Sequence, residues 1–371
     1  MLAKGQTVIQ YMEQFAPKSI AVPDDRIGLQ LGTLQKDITG ILVALDVTEE
    51  VIDEAIALNA NLIIAHHAII FRPLKSLQTS TPMGRLYEKL IKHDIAVYIS
   101  HTNLDIAEGG VNDWMAEALG LRQTVPIEQT STDDYLKLVA FVPASHLDAV
   151  RSAVWAVGAG HIGNYSHCSF SAEGTGTFLP EEGTNPYSGE QGKLEHAAEV
   201  RFETIIPTSL RNKAVQALIK SHPYEEVAYD LYPLALPSKA YGLGRVGKLD
   251  TPVSLGEFVD IVKKGLDVPT VRVVGDLQRT IKKAAVLGGS GSRYVNGALF
   301  KGADVIVTGD IDYHTAHDAL LAGIAIIDPG HNTEKIMKPG VAGVLSARLQ
   351  ADKYTTAVHA SAVNTEVFRF V

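Results

Sequence analysis

From Ile38 the chain alternates between short apolar runs and longer amphipathic ones. ITGILVALDV is apolar and rich in β-branched residues, TEEVIDEAIALN spaces its apolar residues as a helix does, and NLIIA is a second apolar run. Thr48 ahead of Glu49 and Glu50 suits a helix start, because a hydroxyl and two acids meet the unpaired amides of a first turn. The stretch predicts a βαβ unit. A helix near 83–92, a strand at 95–100 and a helix near 111–119 continue the pattern, which implies a mostly parallel sheet with helices on its faces.

The text changes at 121–134, LRQTVPIEQTSTDD, which is polar and rich in turn formers and reads as a boundary. A strand-like YLKLVAFVP, a helix over about 146–157, strand-like EVRFETIIP, a helix over 209–220 and strand-like VAYDLYPL follow. The order β-α-β-β-α-β predicts a ferredoxin-like α+β unit. Its connection GTGTFLPEEGTNPYSGEQG is too polar for a core and is expected to protrude or to touch another subunit. After 237–247 the βα alternation returns, with KAAVLGGSGSRYV, ADVIVTGD, a helix at about 313–322, IAIIDPG, a last helix and a β-like tail. The predicted fold class is thus α/β and discontinuous: 1–127 and 237–371 form one α/β domain, interrupted by an inserted α+β domain at 128–236. Three consecutive domains are the rival layout.

Composition narrows the chemistry. With 371 residues, 46% hydrophobic and 20% charged, the chain has enough apolar surface for sizeable cores. No apolar run is long enough to span a membrane and the start reads as an amphipathic helix, so a cytoplasmic protein is expected. Cys168 is the only cysteine, which rules out an intrachain disulfide and thiolate clusters within the chain. Any metal would be held by nitrogen and oxygen. A net charge of -9 does not support wrapping of nucleic acid.

Three polar groups directly follow apolar strands, the edge at which open α/β sheets expose ligand sites. They are His66-His67 after NLIIA, His101 and Asp105 in HTNLD, and His331 and Glu334 in DPGHNTEK. Asp105 is preferred over His101 as a ligand, because a carboxylate can bridge two cations through its two oxygens. The bland alternatives are a packed or solvated histidine, Asp105 as a turn cap and Glu334 as an early helical acid. Together His66, His67, Asp105, His331 and Glu334 exceed what one cation with an open position needs, so two divalent cations are expected. Zinc, manganese and iron all suit this mixed set, and composition does not choose among them. In TGDIDYHTAHDA, His314 is the candidate proton carrier and His317 reads as helix surface. LGGSGSR is either a phosphate turn or a simple tight turn. His161 and His167 have no nearby carboxylate set, and Glu225 and Glu226 read as solvated or subunit-pairing residues.

AHHAIIF, SHTNLD, LGGSGS, TGDIDYH and DPGHNTE, in this order, resemble the Nif-three-like family, whose members often bear the name GTP cyclohydrolase 1 type 2 homologue. The resemblance covers essentially the whole chain, and the middle part looks like the inserted PII/CutA-like domain of longer bacterial members. It implies a dinuclear centre with His66, His67, Asp105, His331 and Glu334 as ligands, and a homo-oligomer, most often a hexamer. The resulting expectation is a metal-dependent hydrolase acting on a nucleotide or other small molecule, with ring opening of GTP as its specific form. A non-catalytic, metal-dependent binding or regulatory assembly protein is the alternative of a different class.

Overall fold

Side chains alternate across the strand Gly40–Ala44, Ile41 and Val43 on one face and Leu42 and Ala44 on the other, and all four are buried. The same holds for Leu62–Ala65 and Ala96–Ile99, so this sheet is covered on both faces, as parallel sheets require. Its order is Ala357–Ala360, Gly40–Ala44, Leu62–Ala65, Ala96–Ile99, Gly28–Leu31, with only the last pair antiparallel. The helices Glu49–Ala57 and Pro82–Lys92 supply Val51, Ile52, Tyr87 and Leu90 to the core on one face. Thr48 caps the first of them by accepting from the Val51 N–H.

The computed structural model describes residues 1–369, and the chain divides into two compact units, Met1–Ser131 with the stretch from Tyr241 onward, and Thr132–Ala240. The sequence expectation set the limits four residues earlier, at 127/128 and 236/237. The polar stretch read as a boundary is not a loop throughout, since Glu128–Pro143 is a single strand.

The first unit contains a second sheet of order Arg272–Val274, Ala325–Asp328, Val305–Gly309, Thr280–Ser290, Arg245–Ser254, Arg122–Val125. Its strands at 280–290, 305–309 and 325–328 run parallel. One continuous core joins the two sheets, with Ile64 and Tyr98 of the first and Val286 and Ile306 of the second in a single buried cluster. The carboxyl ends of parallel strands from both sheets therefore belong to one rigidly packed body.

The middle unit has the order β-α-β-β-α-β, with the four-stranded sheet Tyr229–Leu243, Glu128–Pro143, Glu195–Pro207, Ser169–Phe178. The helices Leu147–Ala156 and Arg211–Ser221 cover one face through Val150, Val154, Ala214 and Leu218, against Leu138, Ala140, Val142 and Phe202. In the connection expected to protrude, GTGTF completes a strand and the remainder is tied back to its own unit, where the Asn185 N–H donates to Glu225 and Tyr187 packs on Tyr224. Among the described residues no helix is long and apolar enough to cross a membrane.

Ile64 lies in the shared core of the first unit and is fully buried. Ile64→Ala is expected to lower the unfolding free energy by about 2–5 kcal/mol, read by chemical denaturation, whereas the same change at exposed Leu29 should alter it by roughly 0.5 kcal/mol or less.

Candidate metal centre

Each candidate side chain is set by a strand that ends beneath it. After Leu62–Ala65 the backbone bends, and the N–H groups of His66 and His67 both donate to the Leu45 carbonyl, at 3.2 and 3.0 Å. The bend releases the two neighbours from strand alternation, so both imidazoles turn to the same side. His101 follows Ala96–Ile99 after Ser100 and stands at the N-terminus of the short helix Thr102–Ile106, which contains Asp105. His331 opens a 3-10 turn, His331–Ile336, directly after Ala325–Asp328. Residues three apart eclipse one another in a 3-10 turn, which stacks Glu334 beside His331 more closely than the α-helical spacing would.

Every imidazole in this cluster is clipped at Nδ1. His66 Nδ1 is 2.9 Å from the Ser100 carbonyl, and His67 Nδ1 is 2.7 Å from Asp46 Oδ1. His101 Nδ1 is 2.9 Å from Asp25 Oδ1, and His331 Nδ1 is 2.7 Å from Asp310 Oδ2. A proton held at Nδ1 leaves the Nε2 lone pair facing inward, the arrangement by which outer carboxylates and carbonyls orient metal-binding histidines. Inside, Glu334 Oε2 lies 3.1 Å from His67 Nε2, 3.3 Å from His331 Nε2 and 3.7 Å from His66 Nε2.

His66 Nε2 and Asp105 Oδ1 are 3.6 Å apart, and both are buried without a hydrogen-bond partner. Two buried polar atoms that face each other beyond bonding distance need something between them. Donors about 2.0–2.2 Å from one tetrahedral ion lie about 3.3–3.6 Å apart, so the gap suits a cation. Three overlapping sets could hold one: His66, His67 and His101; His67, His331 and Glu334; and His66, Asp105 and Glu334.

The glycine run LGGSGSR forms the wall behind these groups. Gly289 has φ +66°, and a Cβ there would fall 2.5 Å from Glu334 Oε1 and 3.2 Å from His331 Nε2. Only glycine combines that conformation with such close approach. At the next strand end Asp310 adopts φ 57°, rare for a residue other than glycine, and this turn brings its carboxylate to His331.

The electrostatics match a site built around positive charge. Burial would raise the Glu334 carboxyl, but His66, His331 and His67 hold it well below its ordinary value. Burial raises Asp105, against the pull of His66. Burial opposes a proton on His67, yet Asp46 and Glu334 outweigh it and lift the imidazole to about 10. Glu334 is the main cause that raises His331 to about 9, with burial opposing and Asp310 adding to the rise. His66 is also raised, by Asp105 and Glu334 acting against burial.

Comparison with known proteins places this geometry in a family. The model for Duf34/NIF3 (NGG1p interacting factor 3) matches residues 3–367. The chain belongs to the Duf34/NIF3 family. A GTP cyclohydrolase 1 type 2 homolog of Halalkalibacterium halodurans is 58% identical over 370 residues, covering all of both chains. One from Bacillus subtilis is 52% identical over 367 residues, 99% of this chain and 98% of that one. The crystal structure of a Bacillus cereus protein related to NIF3 superposes with a TM-score of 0.94 at 52% identity, over the full length of both chains.

In this Duf34/NIF3 chain the five residues singled out from sequence, His66, His67, Asp105, His331 and Glu334, lie in one cluster, and His101 joins them. His314 does not appear in any of these donor sets. It lies exposed on the first turn of the helix Tyr313–Ala322, its N–H capped by Asp312 and its ring against Tyr313. His317 also stacks on Tyr313. Sequence reasoning missed Asp25 and Asp46 and gave Asp310 no definite part, although all three hold imidazoles. The only signal for Asp46 and Asp310 is that each directly follows an apolar strand-like run.

Without a cation between them, His67 and His331 retain protons well above neutral pH. Their folded values lie above the unfolded value of about 6.5, so their contribution to stability is complete below about 6.5 and fades as pH rises toward 9–10. Chelator-treated protein is expected to show a falling melting temperature from about pH 6.5 to 10. In calorimetry, metal addition near neutral pH should release protons, and a metal-binding enthalpy independent of buffer ionisation heat would contradict this.

Proposed function

We propose that the cluster holds two divalent cations and that this protein is a metal-dependent hydrolase acting on a small molecule. The observation that carries the reading is the unpartnered pair His66 Nε2 and Asp105 Oδ1, set beside a Glu334 oxygen that faces three imidazoles. His66, Asp105 and Glu334 would hold one cation and His67, His331 and Glu334 the other, with His101 adjoining the first flank through its approach to His66 and His67. Zinc is the preferred ion for this imidazole and carboxylate set, and manganese or iron would suit it too.

When bound, such a pair lowers the pKa of water and polarises a substrate oxygen. The chain's own residues do the remaining work. Asp46, Asp310, Asp25 and the Ser100 carbonyl fix the ring orientation and the tautomer. Gly289 keeps the wall behind Glu334 free of side-chain atoms. His314, an exposed imidazole four residues beyond Asp310, is the proposed proton carrier.

GTP is the specific substrate candidate, because the relatives' name points to it: one water would open its imidazole ring to a formamide, and a second water would hydrolyse that formamide to release formate. The outer segments 1–127 and 237–371 are read as the catalytic domain and 128–236 as a PII/CutA-like insertion, supported by the strand order of the middle sheet. The assembly is read as a cytoplasmic homohexamer, for which light scattering should give about six times the 39.9 kDa chain mass.

Asp105→Ala and Glu334→Ala are each expected to reduce metal per chain, by mass spectrometry of the intact metals, and full occupancy in both would remove their ligand roles. His314→Ala should preserve occupancy and slow turnover; an unchanged rate would end its part as proton carrier. With defined metal loading, formate from GTP supports ring opening, and inorganic phosphate supports a different hydrolysis. Absence of both, with metal retained, favours the non-catalytic binding reading.

A further inference from the structure

The sheet of the middle unit has one face covered by helices, and over the other lies a cavity of about 600 Å³. That volume is within the range of small-molecule sites. Its floor is the pair of strands Glu195–Pro207 and Ser169–Phe178, paired so that Glu199 is opposite Gly174 and Ala197 opposite Gly176. Glu199 leans across Gly176, where a Cβ would fall 2.1 Å from its Oε2, so glycine is what admits the carboxylate. Gly174 has open space where a side chain would be. The missing side chains of the GTGTF segment thus create the hollow, and the returning connection provides a wall.

Glu199 is only 9% exposed, and no cation pairs with it among the described ion pairs. Arg201, on the same strand and also lining the cavity, is turned to Glu203, with Nε 2.8 Å from Oε1. Burial, and after it the neighbouring Glu199 carboxyl, raise the Tyr224 phenol to about 12. Tyr224 packs against Tyr187 at 5.7 Å and Phe178 at 6.1 Å between ring centroids, and Phe141 completes the apolar lining. Glu173, Glu225 and Glu226 add further negative charge around the cavity. A buried carboxylate lined by aromatic rings and bordered by acids repels phosphates and carboxylates, and it attracts a cation through both charge and ring faces.

We propose that this cavity is a binding site for a small organic cation, a primary ammonium or guanidinium on an apolar body, with Glu199 as its counter-ion and Tyr187, Tyr224 and Phe178 around its stem. The site is separate in residues from the metal cluster and does not depend on the hydrolase reading. A ligand that supplies a cation gains a charge-assisted hydrogen bond with Glu199, which is itself only 9% exposed.

The test is isothermal titration calorimetry of the full-length, metal-loaded protein with agmatine, which has both cationic groups, against hexanoate and GTP. Agmatine is expected to bind one per chain. Glu199→Gln, which keeps the shape and removes the charge, should weaken it about tenfold or more. Gly174→Leu, which fills the hollow and leaves the charge, should abolish binding while the melting temperature stays near that of the parent; it decides the matter should the Glu199 variant not fold. Glu334→Ala should leave agmatine affinity unchanged. No binding at millimolar agmatine, equal binding by both cavity variants, equal affinity for hexanoate, or loss of binding in Glu334→Ala would each overturn the proposal.

Discussion

A carboxylate shut away from water must be met by positive charge, and Glu334 sets that condition for the whole cluster. It is nearly inaccessible, as are Asp105 and His66 beside it. Leaving such groups uncompensated costs several kcal/mol, so the surrounding architecture is arranged to bring protons or cations to one point. The imidazoles converge on Glu334 because each is anchored behind, and the anchors lie at the ends of strands whose own packing does not yield. The precision of the centre is therefore inherited from the two sheets and their common core, since loops alone would not hold donor atoms at such separations.

The two halves of the cluster also differ in chemistry. His66 Nε2 and Asp105 Oδ1 face each other without a hydrogen-bond partner, with His66 Nδ1 held by the Ser100 carbonyl, whereas His67 and His331 contact Glu334 directly and have carboxylates at their backs. One flank is backed by a carbonyl and the other by carboxylates, so their imidazoles differ in basicity. Membership of the Duf34/NIF3 family does not by itself fix a reaction, since one fold admits many activities.

Much of this was legible in the chain because strand ends advertise themselves. An apolar run followed at once by HH, HTNLD or DPGHNTE places polar atoms at a sheet edge, and the five residues chosen on that ground do meet in space. What could not be read was pairing across elements. Asp25 lies in a loop far from His101 in sequence, and nothing in PDDR signals that its carboxylate will hold an imidazole. Asp46 and Asp310 likewise gain their meaning only when neighbouring strand ends lie side by side. Local geometry was missed where composition misled: Glu128–Pro143 forms a strand through text rich in Thr, Ser and Asp, since its ladder partners outweigh weak propensity. The segment around GTGTF was read as loop because it is too polar for a core, yet it forms a strand whose glycines make room for Glu199.

The first unit is assembled from both ends of the polypeptide, with His66, His67, His101 and Asp105 before the middle segment and His331 and Glu334 after it. During synthesis the early donors emerge long before Glu334 exists, and until then His66 and Asp105 lack the third group of their set. That donor set is therefore complete only in chains translated almost to the last helix, so an interrupted product would leave the ribosome with the set unfinished.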